Sequence, residues 1–269
     1  MLLQIYLLNF AHCKQRIMIS AAKIKLIHSL SRKKYRIENG LFLAEGPKLV
    51  DELSGRFPCT FAAGTAGWME HHRGFRANQI ECVSDAELAK ASLLQSPQEV
   101  LALFRLPDTT GDIHIAEKEL CLALDGVQDP GNLGTIVRIA DWFGIEHIFC
   151  STDTADVFNP KAVQATMGAI ARVQVHYMHL TGEIAGLPAG VPVYGTFMDG
   201  KDIYSTELHK SGIIVMGNEG SGISPEMENL VTERIGIPSF PAGRATSESL
   251  NVAVATAITC SEFRRRNAV

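Results

Sequence analysis

The chain contains no C-x-x-C pair: its six cysteines (Cys13, Cys59, Cys82, Cys121, Cys150 and Cys260) stand far apart. That spacing excludes a zinc ribbon and a thioredoxin-type redox motif. Single scattered thiols in a chain of this size fit a reducing cytoplasm. No run of about 18 uninterrupted apolar residues is present, which excludes a membrane-spanning helix. Gly at 23 and Pro at 11 exclude collagen-like and mucin-like compositions. Neither G-x-G-x-x-G nor G-x-x-x-x-G-K-[ST] occurs, so the dinucleotide fingerprint and the P-loop are both absent. No H-E-x-x-H or other metal spacing is written, and no metal is expected. The nine histidines are dispersed; His71-His72, His176 and His179 read as surface or core imidazoles rather than ligands. No Ser-His-Asp set stands at a recognisable spacing.

What is present is ordinary globular material, 46% hydrophobic and 20% charged, enough to build a core and to exclude whole-chain disorder. A length of 269 residues predicts roughly two domains. Met1–Phe10 is apolar, but no positive charge precedes it and no small-residue cleavage site follows, so it does not read as a signal peptide. Residues 1–17 read as a frayed leader or an over-called start, with translation expected from Met18.

The net charge of −4 hides an asymmetry. Residues 1–110 hold 14 Lys and Arg against 10 Asp and Glu, a balance of +4; residues 111–269 hold 11 against 19, a balance of −8. From Lys14 to Arg36 there are eight basic residues and no acid. A charge run is usually a solvated helix face. Arg32-Lys33-Lys34-Tyr35-Arg36, however, sets an aromatic inside a basic cluster, which suits a phosphate backbone with a base stacked nearby.

Hydrophobic periodicity predicts a helix from Ser20 toward Tyr35, ended by Gly40. Short strands follow at Leu41–Ala44, Phe61–Gly64, Gln79–Val83 and Val100–Phe104, with helices starting at Pro47 and at Asp85. Residues 18–105 thus form a small α/β domain, and 106–117 read as a linker. From 118 to 269 the alternation is stricter. Strands are expected at Leu120–Leu124, His147–Cys150, Val173–Tyr177, Val191–Gly195, Gly212–Met216 and Arg234–Ile237. Helices are expected from a Gly131-Asn132 cap to Phe143, from Pro160 to about Ile170, from Pro225, and over Leu250–Arg266. Such alternation predicts a parallel sheet covered on both faces.

In open α/β sheets ligands bind beyond the carboxyl ends of the strands. Three loops at such positions are rich in Gly, Asn, Ser and charge. The first runs from Asp125 to Gly134 and is followed by Arg138. The second runs from Met216 to Pro225. The third runs from Ile237-Pro238 through Ser249-Leu250-Asn251 to Ala255. One glycine loop is more often a tight turn than a site, but three after successive strands point to one shared site.

These loops resemble the three motifs of the SpoU (TrmH-like) branch of the SPOUT RNA methyltransferases. Asn132, Gly134 and Arg138 match the first, Gly217-Asn218-Glu219-Gly220 the second, and Ile237-Pro238 with Ser249–Ala255 the third. The first domain is similar to the family's ribosomal-protein-like substrate-binding domain, through Lys23–Ile27 and Gly40–Gly46. The sequence departs from the family in carrying Ser239-Phe240-Pro241 where a Met commonly follows Ile-Pro, and in a longer 238–249 loop.

The resemblance implies a trefoil knot in the C-terminal domain, which periodicity cannot reveal because knots are rare exceptions to chain-connection rules. It also implies a homodimer, S-adenosyl-L-methionine as cofactor, and 2′-O-methylation of a ribose in RNA, ribosomal RNA before transfer RNA. Arg138 is then the catalytic choice, as a clamp on phosphate and developing oxyanion, since Arg stays protonated. An ordinary salt bridge to Asp141 or Glu146 is the bland alternative for it. Asn132 would orient the hydroxyl or Arg138, with helix capping as its alternative. Glu219 would organise the second loop or pair with Arg138. Ser249 and Asn251 would place polar groups at the last helix. Gly217, Asn218, Gly220, Ile237 and Leu250 would line the cofactor. Arg32, Lys33, Lys34 and Arg36 would hold the RNA. Two other classes remain beside this one: a non-catalytic RNA-binding protein on the same scaffold, and a nucleotide-dependent oxidoreductase.

Overall fold

The computed structural model describes residues 18–241 and 249–267; the expectations for residues 1–17 and for 242–248 of the third loop lie outside them. The chain divides into two compact units. One runs to Pro107 and also takes in Phe158–Ala171; the other holds Asp108–Val157 and the chain from Arg172 onward. The inclusion of Phe158–Ala171 in the first unit is not anticipated by a split at the 106–117 linker.

In the first unit, Ser20 caps helix α1 (Ala21–Ser29) by accepting from Lys23 N, and Ile27 and Leu30 enter the core with Leu43, Phe61, Leu101 and Leu103. The helix predicted from Ser20 to Tyr35 is broken, and a second one, α2 (Lys33–Asn39), follows. The cause is competition for carbonyls: Ser29 Oγ donates to Leu26 O, Ser31 Oγ to His28 O, and Arg36 Nη1 reaches back to Leu30 O at 2.7 Å. Gly40 ends α2 at φ +62°, a left-handed cap that glycine adopts without strain. Strands β1 (Leu41–Glu45), β2 (Cys59–Gly64), β3 (Gln79–Cys82) and β4 (Val100–Arg105), with helices α3 (Pro47–Ser54), α4 (Ala66–His71) and α5 (Asp85–Ala91) between successive strands, form a sheet ordered β1-β4-β2-β3. β4 pairs antiparallel with both β1 and β2, and β2 pairs parallel with the edge strand β3. Phe158 explains why its segment belongs here: its ring lies 4.9 Å from that of Phe42, beside Phe57.

The second unit is built on six strands: β5 (Leu120–Asp125), β6 (His147–Cys150), β7 (Gln174–Tyr177), β8 (Val193–Asp202), β9 (Gly212–Gly217) and β10 (Glu233–Gly236). They are ordered β10-β8-β9-β5-β6-β7, and every pairing is parallel. Every residue of β5 and β6 is buried, so the sheet centre is covered on both faces, as continuous apolar runs predict. β8 is longer than its apolar run. Arg234 pairs with Gly195 and the next residue, Ile235, with Lys201, so residues 196–200 bulge out at the carboxyl edge. The predicted helix from Pro160 stops at Thr166, and Ala169–Ala171 forms a 3-10 turn after a left-handed Met167.

Histidine and cysteine follow the bland readings. His176 is buried, with Nε2 3.1 Å from His147 Nδ1 and Nδ1 on Thr110 O, and burial lowers its pKa. Burial pushes the Cys59, Cys121 and Cys260 thiols up to about 12, values that keep them unreactive. Among the described residues no group of His, Cys, Asp and Glu could hold a metal ion, and no helix is long and apolar enough to cross a membrane.

Candidate active site

The first loop leaves β5 through Asp125, whose buried carboxylate accepts from Ser224 N at 2.7 Å and so ties it to the end of the second loop. Asp129 then caps helix α6 (Pro130–Trp142) by accepting from Asn132 N. The predicted Gly131-Asn132 cap therefore falls two to three residues too late. An Asp immediately before a Pro at the first helical position was the signal for the true cap. With capping done by Asp129, the Asn132 side chain is left for other contacts.

The second loop folds on itself. Asn218 N and O pair with Gly222, Asn218 Oδ1 accepts from Gly220 N and Ser221 N, and Asn218 Nδ2 donates to Gly126 O at 2.7 Å in the first loop. A side chain at Gly217 is sterically excluded, since a Cβ there would lie 2.3 Å from Ile223 N. The Asn218 side-chain amide and the Gly220 backbone N–H, both expected at the cofactor, are thus engaged within the loops.

Glu219 joins the loops. It accepts from Gln128 N and Asp129 N, each at 3.2 Å, and from Asn132 Nδ2 at 3.0 Å. Partial burial raises its pKa, but these donors and its own backbone amide outweigh burial and hold it below the usual carboxylate range. The third loop arrives through Asn251, which donates from Nδ2 to Asn132 Oδ1 at 3.0 Å. Asn251 Oδ1 meanwhile accepts from Ala253 N and Val254 N, opening the last helix, α10 (Val252–Asn267); between α6 and α10 the chain forms α7 (Pro160–Thr166), α8 (Leu180–Ala185) and α9 (Pro225–Glu228). Asn251, Asn132 and Glu219 therefore form one hydrogen-bonded chain across all three loops.

Arg138 stands apart from that chain. It is exposed on α6 and makes no hydrogen bond or ion pair among the described residues. None of the alternative partners holds it among the described residues: Asp141 is taken by a two-pronged contact from Arg172, Glu146 is exposed and makes no ion pair with it, and Glu219 faces the amides rather than Arg138. Six residues of helix put Arg138 about 9 Å along the axis from Asn132, and helical side chains lean back toward the N-terminus, hence toward the three-loop junction. Ser249 and Leu250 are exposed and Ile237 is half-buried.

The predicted RNA contacts divide. Arg32, Lys33 and Lys34 are exposed in the first unit, Lys34 only loosely paired with Glu38 at 3.7 Å. Arg36 is 1% exposed and spent on Leu30 O, so it cannot present its charge to a phosphate. The charge sign it shares with its neighbours conceals this; its reach six residues back, to the end of the previous helix, decides it. The basic end of α10 is likewise structural. Arg264 donates to Phe143 O and Gly144 O, and Arg266 to Thr206 O.

The site is thus a parallel sheet whose three polar loops are joined at its carboxyl edge, with Arg138 on the helix that leaves the first of them and without a partner among the described residues. Residues 119–261 match the profile of the SpoU rRNA Methylase family, and residues 21–102 that of an MRM3-like substrate binding domain. The chain belongs to the SpoU rRNA methylase family. It is 31% identical over 258 residues, 90% of this chain and 96% of the relative, to the 23S rRNA (guanosine(2553)-2′-O)-methyltransferase RlmP of Bacillus subtilis. Among solved structures, a TrmH-family chain from Porphyromonas gingivalis is 43% identical with a TM-score of 0.84, over 93% of this chain and 100% of that one. An AdoMet-bound rRNA methyltransferase from Sinorhizobium meliloti is 29% identical with a TM-score of 0.79, over 94% and 98%.

Proposed function

We propose that the chain is an S-adenosylmethionine-dependent RNA methyltransferase that places a methyl group on a ribose 2′-oxygen of ribosomal RNA. The observation that carries this is the Asn251–Asn132–Glu219 chain with the unpaired Arg138 on the same helix. Family membership and the printed activity of the Bacillus relative support the substrate class, and the Sinorhizobium structure supports the cofactor.

The residues present fit that cofactor. Adjacent strands β8, β9 and β10 end together, so the peptide groups near Gly217 and Ile237, with the half-exposed Leu250, offer backbone donors and acceptors beside apolar surface. An acidic domain of charge −8 also suits a cationic sulfonium. When bound, S-adenosylmethionine supplies an electrophilic methyl group. The protein's part is to align the ribose hydroxyl and to meet the negative charge that grows on its oxygen. Asn132, with its amide locked between Glu219 and Asn251, positions; Arg138, always charged, clamps phosphate and oxyanion. Because the 2′-hydroxyl exists only in RNA, recognising it selects RNA over DNA.

Arg32, Lys33 and Lys34 hold the RNA backbone in this reading. The protein works in the cytoplasm as a homodimer through its C-terminal domain, whose last segment is threaded as a trefoil knot. The non-catalytic alternative is disfavoured by the complete Asn132, Arg138, Glu219 and Asn251 set, and the oxidoreductase by the missing dinucleotide fingerprint. The test is transfer of labelled methyl from S-adenosylmethionine to ribosomal RNA, followed by mapping of 2′-O-methyl sites against RNA from a deletion strain. Calorimetry that finds NAD bound and S-adenosylmethionine not bound overturns the reading.

A further inference from the structure

The excursion of β8 at residues 196–200 lies at the edge where β8, β9 and β10 end; Thr196 anchors its start to Val215 O of β9, and one side chain clamps the rest. The Arg234 guanidinium stacks 3.6 Å from the centroid of the Phe197 ring. Its Nη2 donates to Asp199 Oδ1 at 2.8 Å and its Nη1 to Glu228, on helix α9 just after the second loop. Arg234 itself sits on β10, three residues before Ile237, where the third loop starts. One guanidinium therefore ties together the excursion, the element that follows the second loop and the strand that leads into the third. The excursion lies directly on β10: a Cβ at Gly200 would fall 2.3 Å from the Ile235 carbonyl carbon, and one at Gly236 would fall 2.8 Å from Phe197 O.

The exposure of these groups speaks against a plain stability role. The side chains of Arg234 and Asp199 are 37% and 79% exposed, and ion pairs in water contribute little to folding. What a flat, forked cation stacked on a ring does provide is a fixed direction.

We propose that Arg234 is a positioning residue for the cofactor edge, holding the Phe197–Asp199 excursion as one wall of the S-adenosylmethionine site. This rests on the cofactor assignment above. Arg234→Met keeps the length of the side chain and removes its charge and fork. It is expected to raise the calorimetric Kd and the KM for S-adenosylmethionine about tenfold, leaving KM for RNA and kcat at saturating cofactor within about twofold. Arg234→Lys, which can meet one carboxylate but not stack and fork, is expected to recover part of the loss. Phe197→Leu, which removes the ring and leaves both carboxylates, is expected to show a smaller rise of the same kind and tests the clamp if Arg234→Met does not fold. Unchanged cofactor affinity in folded Arg234→Met or Phe197→Leu protein overturns the proposal, as does an equal rise in both KM values. Wild-type protein that binds no S-adenosylmethionine overturns the cofactor assignment and the wall with it. Wild-type binding retained in the variants overturns the wall alone.

Discussion

Arg36 in the first unit and Arg138 in the second have the same chemistry and opposite fates. Arg36 is folded under, its guanidinium spent on the carbonyl that ends α1. Arg138 stands in solvent with its donors free among the described residues, although an aspartate lies only three positions further along its helix. That aspartate is occupied by Arg172. A cation that folding leaves unclaimed beside an ordered polar junction is available to a substrate; one that folding consumes is part of the frame. Charge in a sequence does not separate the two, whereas the hydrogen-bond partners do.

The contrast is broken most directly by removing each arginine. Arg138→Ala should lower kcat by about 10³-fold in the methyl-transfer assay, the scale of one lost oxyanion donor. It should leave S-adenosylmethionine affinity within a few-fold and the melting temperature unchanged. Arg36→Ala should do the reverse, costing about 2–4 kcal/mol of stability in denaturant titration through a buried carbonyl left without its donor. Arg138→Ala that melts early, or Arg36→Ala that is fully stable, would invert the assignment. Asn132→Ala should lower kcat about 10²-fold by freeing the geometry it fixes, read in the same assay with cofactor binding as the control.

The exposed cations of the first unit sharpen the comparison further. Arg32, Lys33 and Lys34 changed together to Gln, with Arg36 kept, should raise the KM for RNA about tenfold. The log–log salt slope should flatten by roughly 0.7 to 0.9 per lost phosphate contact. An unchanged slope would return these side chains to the status of a solvated face. The smallest effect is expected at Glu262. Its buried carboxylate is held down to about 2, by hydrogen bonds from Arg265 first and then from Arg266. A depressed carboxylate adds stability above its unfolded value of about 4 and loses it as the pH falls toward 2. Glu262→Gln should therefore melt below wild type at pH 7, by about 1–3 kcal/mol, with the gap closing through acid titration.

The strands were legible because apolar runs such as Leu120–Leu124 and Gly212–Met216 have no competing reading, and the parallel sheet followed from their alternation with helices. The three polar loops were legible as well, and they do meet. What local sequence could not carry was partner choice. Ser29 and Ser31 divert carbonyls and split a helix that periodicity alone joins. Phe158 leaves its sequence neighbours for a ring cluster with Phe42 and Phe57. The excursion at 196–200 is invisible because only the pairing of Arg234 with Gly195 and of Ile235 with Lys201 reveals it. Each of these depends on a residue distant in sequence or on a choice between equivalent acceptors.

The chain through Asn251, Asn132 and Glu219 also has a polarity. A carboxylate can only accept, so Glu219 obliges Asn132 to turn its NH₂ toward it and its carbonyl away. That carbonyl in turn obliges Asn251 to present its own NH₂, which leaves the Asn251 oxygen over the first amides of α10. The chain is thus pinned at both ends, by a carboxylate that can only accept and by backbone amides of α10 that can only donate, so that neither side-chain amide can invert without losing a bond. A glutamine at 219, with one acceptor where Glu219 has two, would set an NH₂ against the backbone N–H of Gln128 or of Asp129 and so loosen the first loop at that end. Asn251 would keep its orientation from the amides of α10, so the last helix would keep the oxygen that opens it while the junction with the second loop weakened.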